Sequence, residues 1–275
     1  MCRKIKNSNH AKSYNNTYKT QKYDLIFIAT QIVYFVHYCV SWRSMGDHWQ
    51  NIYSHFQKWT KWGIIDKVYT DLCKKYKHKR SGGYLKVIMT DTTIIVNKNG
   101  SDMIKRNPLV KNKNCTKMLN IVDNKGVSIF FDYYSGSVHD SKCLMSILDN
   151  FLSNNIGIVT FLADSGFYTN GISDLLKKYG VKPLIAKNVK NSKKRKIYLN
   201  VKGKKRKLTY HEKIERQLED MTIKERRQFR KRGKIENMYA NYKQIPRLGL
   251  RYDRYVIHMR SIALLYFCEQ FLKHL

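Results

Sequence analysis

The hydrophobic period changes once along this chain, and that change limits what it can fold into. Between Asp24 and Tyr76 the large apolar residues recur every three, four or seven positions. Trp42, Trp49, Tyr53, Phe56, Trp59 and Trp62 so fall on one face of amphipathic helices. After Ser81-Gly82-Gly83 the pattern shortens to strand-like runs: Tyr84–Val96, Lys117–Val122 and Val127–Tyr134, the last two parted by the turn residues Asp123-Asn124-Lys125-Gly126. A helix is predicted over Ser141–Phe151, with Asp140 as its N-cap. Ile158–Ala163 is an apolar run of the kind buried on both faces, and it ends in Asp164-Ser165-Gly166. A helix near Gly171–Tyr179 and a last strand, Val181–Ala186, follow. Three strands, then alternating helix and strand, specify an α/β fold: a mixed sheet with helices around it.

The remaining segments are read in the same way. Leu25–Val40 is the most apolar stretch, but it is short and contains Thr30, Gln31 and His37. A span needs about 20 apolar residues, so a buried helix and no membrane are expected, and no secretory signal is read before it. Gly63 breaks the helical pattern and Ile64–Tyr76 resumes it; Lys74–Arg80 with Ser81-Gly82-Gly83 reads as a basic, flexible linker. Residues 187–208 are expected to be loop or hairpin, 209–227 helical and exposed, and 229–244 a helix closed by Pro246. Arg260–Leu275 is expected to pack as a terminal helix. The six cysteines are scattered without a Cys-x-x-Cys pair, which argues against a zinc ribbon or a disulfide framework and fits a reducing compartment.

The net charge of +33 over 275 residues exceeds what solubility requires and calls for a polyanionic partner, nucleic acid first. An abundance of Lys, Asn, Ile and Tyr is also what an AT-rich coding sequence produces. Such bias does not explain the distribution: Lys187 to Lys234 holds twenty Lys or Arg against five Asp or Glu. Residues 1–23 carry six basic and no acidic side chains and read as a flexible or DNA-touching arm.

Three carboxylates stand out against this basic background. Asp91 interrupts an apolar run, where desolvation is costly unless the group is paired or binds metal. Asp164 ends a buried strand, where active sites of open α/β sheets gather. Glu236 lies four residues after Arg232 and seven before Lys243, with Phe229 one further stripe position back, so all four share a face if the segment is helical. The plainer readings are a strand-edge residue, a turn-forming Asp before Ser-Gly and a salt-bridged surface helix. Taken together the three acids suit Mg²⁺ or Mn²⁺, which prefer carboxylate and water, and two such ions activate an attacking oxygen and stabilise a leaving one. Asp140 reads as a helix cap, and His139 as an orienting group or a surface histidine.

These residues resemble the DDE transposases of bacterial insertion sequences, in the branch whose third carboxylate sits in a Tyr-x2-Arg-x3-Glu-x6-Lys signature. Phe229, Arg232, Glu236 and Lys243 match it with Phe in place of Tyr. Asp91 in MTDTT is similar to the first family aspartate and Asp164 in FLADSGFY to the second; Ser135–Asp140 is similar to the Gly-x-x-His-Asp segment between them. SWRSMGDHWQNIYSHFQKWTKWG and the Arg247–Asp253 segment are similar to the family's helical DNA-binding region and its stretch after the signature. The resemblance implies an RNase H-like catalytic domain over 84–275 with a basic insertion near 187–228, preceded by a basic arm and helical DNA-binding region over 1–80. It implies metal-dependent cutting and joining of DNA at the ends of a mobile element, with Asp91, Asp164 and Glu236 holding two ions. Arg232 and Lys243 would contact phosphates of the terminal inverted repeats, and the basic run Lys204, Lys205, Arg206 and Lys207 would hold DNA beside them. It further implies a homodimer on terminal-repeat and target DNA, in an intracellular setting. A catalytically silent DNA-binding derivative and a metal nuclease without joining activity remain the alternatives.

Overall fold

The computed structural model describes residues 24–187, 198–201, 204–207 and 209–275; the arm expected over 1–23 lies outside the described residues. In chain order come helices α1 (Leu25–Tyr38), α2 (Trp49–Lys61) and α3 (Ile64–Ser81), then strands β1 (Val87–Asn97), β2 (Lys105–Asn107), β3 (Lys113–Asp123) and β4 (Ser128–Ser135). Helix α4 (Asp140–Ser153), strand β5 (Thr160–Ala163), helix α5 (Asn170–Lys178) and strand β6 (Lys182–Ile185) alternate after them. The chain continues through hairpin strands β7 (Tyr198–Val201) and β8 (Lys204–Lys207) and helices α6 (Tyr210–Gln217), α7 (Ile223–Phe229) and α8 (Gly233–Gln244). The short α9 (Pro246–Gly249), strand β9 (Leu250–Arg251) and helix α10 (Val256–Leu272) end it.

Among the described residues seven strands form one mixed sheet in the order β2-β3-β1-β5-β6, with β4 beside β3 and β9 beside β1. Strand β5 runs parallel to β1 and β6 parallel to β5, while β2 is antiparallel to β3. This is the predicted mixed α/β sheet flanked by helices, with β1 central. The chain forms two compact units that interleave in sequence.

One unit takes the described residues up to Gly83, Ile94–Thr116 and Ala240–Leu275. Its core holds the buried rings of Phe35, Phe56, Trp59, Tyr76, Phe267 and Phe271. Of the aromatic stripe read in the sequence, Phe56 and Trp59 are core, while Trp42, Trp49, Tyr53 and Trp62 are half-buried. Helix α10, buried along most of its length, sets Phe271 against Tyr69 and Tyr76 at ring-centroid distances of 5.3 and 5.4 Å. That contact explains a correction: Lys74–Arg80 is not a flexible linker but the last turns of α3. Tyr69, Cys73 and Tyr76 keep helical spacing into the core while the lysines take the solvent side. Gly82 and Gly83, both at positive φ, end the helix. Helix α1 buries Ile28, Ile32, Phe35 and Val36, as expected of Leu25–Val40, though Val33, Tyr34 and Tyr38 on its other side are exposed. Among the described residues no helix is long and apolar enough to cross a membrane.

The second unit, Tyr84–Thr93 and Lys117–Tyr239, holds the central strands and their helices. Helix α4 buries Cys143, Leu144, Leu148 and Phe151, and α5 buries Ile172 and Leu176. The stretch 209–227 is helical as expected, in two pieces. The Thr222 side chain accepts from the Glu225 amide while Glu225 reaches back to the Thr222 amide, and this capping box starts α7 afresh. Within 187–208 the described residues form the β7–β8 antiparallel hairpin.

Candidate active site

Strand register aligns the first two acids. Val87, Ile88 and Met89 pair with Thr160, Phe161 and Leu162 across the parallel β1–β5 ladder, and two further places along it set Asp91 level with Asp164. Asp164 lies just past the carboxyl end of β5 and caps a 3₁₀ turn (Ser165–Phe167), its Oδ1 accepting from the Ser165 amide at 2.7 Å. The plainer turn-forming reading of Asp164 therefore holds, alongside its place beside Asp91. Asp91 is interior to β1, where its Oδ1 accepts from the Thr92 amide at 2.8 Å. Burial pushes the Asp91 carboxyl up to about 6, and the negative charges of Asp164 and Asp140 push the same way against the lowering effect of Arg232. Such surroundings favour a cation.

The third acid comes from α8. Phe229 to Lys243 is not one helix: α7 ends at Phe229, Arg230–Arg232 tighten into a 3₁₀ turn, and α8 starts at Gly233. Gly233 is a poor helix former and follows three consecutive cations, a place where the winding tightens rather than breaks. The spacing from Arg232 to Glu236 survives. Arg232 Nη1 donates to Asp91 Oδ2 at 3.2 Å and Nη2 to Glu236 Oε1 at 3.0 Å, so one planar guanidinium bridges two carboxylates. Arg232 Cζ also lies 5.9 Å from the centre of the Phe229 ring, an aromatic contact that needs no tyrosine hydroxyl. The buried Tyr239 donates its hydroxyl to the Asp91 carbonyl at 2.7 Å and docks α8 on β1. Glu236 itself is 60% exposed at its side chain.

Among the described residues no three His, Cys, Asp or Glu groups are drawn close enough to hold a metal ion. The donor chemistry nonetheless fits one: Asp91, Asp164 and Glu236 offer only carboxylate oxygens, which suit Mg²⁺ or Mn²⁺. Lys243 belongs to the other compact unit. Lys204, Lys205, Arg206 and Lys207 form β8.

Sequence reasoning missed part of this neighbourhood. The N-cap of α4 is His139, not Asp140: its backbone is extended and its Nδ1 accepts from the Ser141 amide at 3.3 Å. Asp140 is thus released from capping, and its Oδ1 accepts from Thr92 Oγ1 at 2.8 Å and from Lys117 Nζ at 2.6 Å. Lys117 is buried inside β3 and carries no sequence signal beyond being a cation within an apolar strand. Tyr239 could have been found, since it lies three residues after Glu236 on the same helical face.

The family described as the transposase DDE domain matches residues 55–267. The chain belongs to that family. No curated protein matches it. Three solved structures illustrate how distant its structural neighbours are. The catalytic domain of Mos1 mariner transposase is 13% identical over 74% of this chain and 90% of its own, with a TM-score of 0.29. A pre-cleavage Mos1 transpososome is 10% identical over 92% and 79%, with a TM-score of 0.28. The Mos1 catalytic domain solved with raltegravir and Mg is 12% identical over 75% and 92%, at 0.27. Assignment to the DDE domain family rests on the sequence match. That match takes in Asp91, Lys117, Asp140, Asp164, Arg232, Glu236 and Tyr239.

Proposed function

We propose that this DDE domain is a metal-dependent transposase, which cuts and joins DNA at the ends of a mobile element by direct attack of an oxygen on phosphorus. The observation that carries the reading is the Arg232 guanidinium joining Asp91 to Glu236. Asp91, Asp164 and Glu236 would hold two ions, Mg²⁺ or Mn²⁺, which would supply activation of an attacking water or 3′ hydroxyl and charge stabilisation of the leaving 3′ oxygen. Half-buried Asp91 gives the acid set a partly desolvated anchor, and Tyr239 fixes the helix from which Glu236 projects. Arg232 balances two acids and has a geometry suited to a backbone phosphate of the terminal inverted repeat. Lys243 serves a phosphate in the same way, and Lys204–Lys207 hold the DNA flank. The helices before residue 80 bind DNA, two copies act on paired ends and on target DNA, and the setting is intracellular.

Strand-cleavage and strand-transfer assays on DNA carrying the element's own ends test this. Asp91→Asn, Asp164→Asn and Glu236→Gln are each expected to abolish both reactions and leave DNA binding in place. DNA binding by the native chain with no metal-dependent cleavage would instead indicate a silent derivative, and cleavage without joining a nuclease.

A further inference from the structure

Asp140 is outside the three-acid set, yet it is tied to the segments that carry two of its members, Asp91 and Asp164. Its Oδ1 takes the Thr92 hydroxyl, one residue past Asp91 on β1, and the ammonium of Lys117 on β3. Lys117 Nζ also donates to the Val138 carbonyl at 2.6 Å, so the buried cation is fastened at two points. The second carboxylate oxygen of Asp140 faces Gly166: a β-carbon placed there would lie 3.2 Å from Oδ2. Gly166 sits in the turn that Asp164 caps. One carboxylate therefore touches the segment carrying Asp91, the strand beside it and the turn carrying Asp164. His139 makes this possible by taking the cap itself.

We propose that Asp140, held by Lys117 and Thr92, is a positioning residue that sets the spacing of Asp91 and Asp164 for cation binding. The inference rests on the reading of those two aspartates as the groups that hold the ions. A Lys–Asp pair serving stability alone is replaceable by apolar side chains at little cost. Here the acid accepts from the neighbour of one aspartate and abuts the turn of the other, and groups of this kind tune ion affinity without touching the ion. Gly166 has a matching constraint, because any side chain there presses on the free oxygen of Asp140.

The full chain is titrated with Mn²⁺ alone, following the free-ion electron paramagnetic resonance signal, and each variant is also melted. Asp140→Asn is expected to weaken Mn²⁺ binding about tenfold. Thr92→Val is expected to weaken it several-fold and Thr92→Ser to restore it; if Asp140→Asn does not fold, this pair decides. Wild-type Mn²⁺ affinity in both Asp140→Asn and Thr92→Val, with Asp91→Asn and Asp164→Asn losing it, overturns the inference whether or not the melting point falls. Wild-type affinity in Asp91→Asn and Asp164→Asn as well would instead remove the underlying assignment of the aspartates.

Discussion

Arg232 answers two acids with one rigid fork, and its replacement by lysine measures that geometry. An ammonium is a point donor and cannot span Asp91 Oδ2 and Glu236 Oε1 together. Leaving a partly buried carboxylate without its partner costs about 1–3 kcal/mol. Arg232→Lys is therefore expected to lose that much stability in urea unfolding and most of its cleavage activity. Native stability and activity in the variant would mean the bridge is not used. A second residue reports on acid. His55 is buried on α2, its ring edge-on to Trp59 at 5.9 Å, and burial pulls its pKa down from 6.5 to about 4. Between those values the unfolded chain binds the proton that the folded chain refuses. The His55 contribution is thus whole above pH 6.5 and falls as pH drops toward 4, by at most about 3 kcal/mol. Denaturant titrations at pH 7 and 4.5 should show this loss, and His55→Gln should reduce the difference between them.

At the scale of elements, the β3–β4 turn holds the start of α8. Gly126 in that turn has φ +85°, and a β-carbon on it would come 3.2 Å from the Lys234 carbonyl. Lys234 Nζ in turn donates to the Asn124 carbonyl at 2.6 Å, two residues before Glu236 on the helix. Gly126→Ala therefore faces both a left-handed backbone, about 1–2 kcal/mol, and a contact with main chain that cannot rotate away. Its expected cost is about 1–3 kcal/mol by denaturant unfolding, with reduced cleavage because α8 is displaced; a variant as stable as the native chain would refute the contact. The turn itself was legible, since Asp-Asn-Lys-Gly between two alternating runs admits few other readings. So were β1, β3, β4, β5 and β6, whose runs differ in period from the helices before them. What the sequence could not show was long-range. Tyr76 gives no local sign that Phe271 will hold α3 together past Lys74. Nor does the chain around residue 140 reveal that Lys117, twenty-three positions earlier, will claim Asp140 and leave the cap to His139. Arg232 and Glu236 were legible because their pairing is local to one turn, whereas the Arg232–Asp91 arm of the bridge spans 141 positions.

Over the whole molecule the charge is +33, and its densest part lies just ahead of Glu236, the third of the acids assigned to chemistry. A solvated basic face and a DNA-binding one differ in a measurable way. Cations that neutralise phosphates release condensed counterions, so the logarithm of affinity falls with the logarithm of salt by about 0.9 for each contact. Lys204, Lys205, Arg206 and Lys207 form one hairpin strand whose pairing is made by backbone, not by charge. Changing all four to glutamine is expected to leave the strand paired and the slope shallower by up to about 3.6, the limit in which each contacts a phosphate. Fluorescence anisotropy of labelled duplex from 50 to 300 mM KCl measures the slope, with far-ultraviolet circular dichroism to check the fold. A slope equal to that of the native chain would assign this strand to solvent and move the DNA surface to other cations of the molecule.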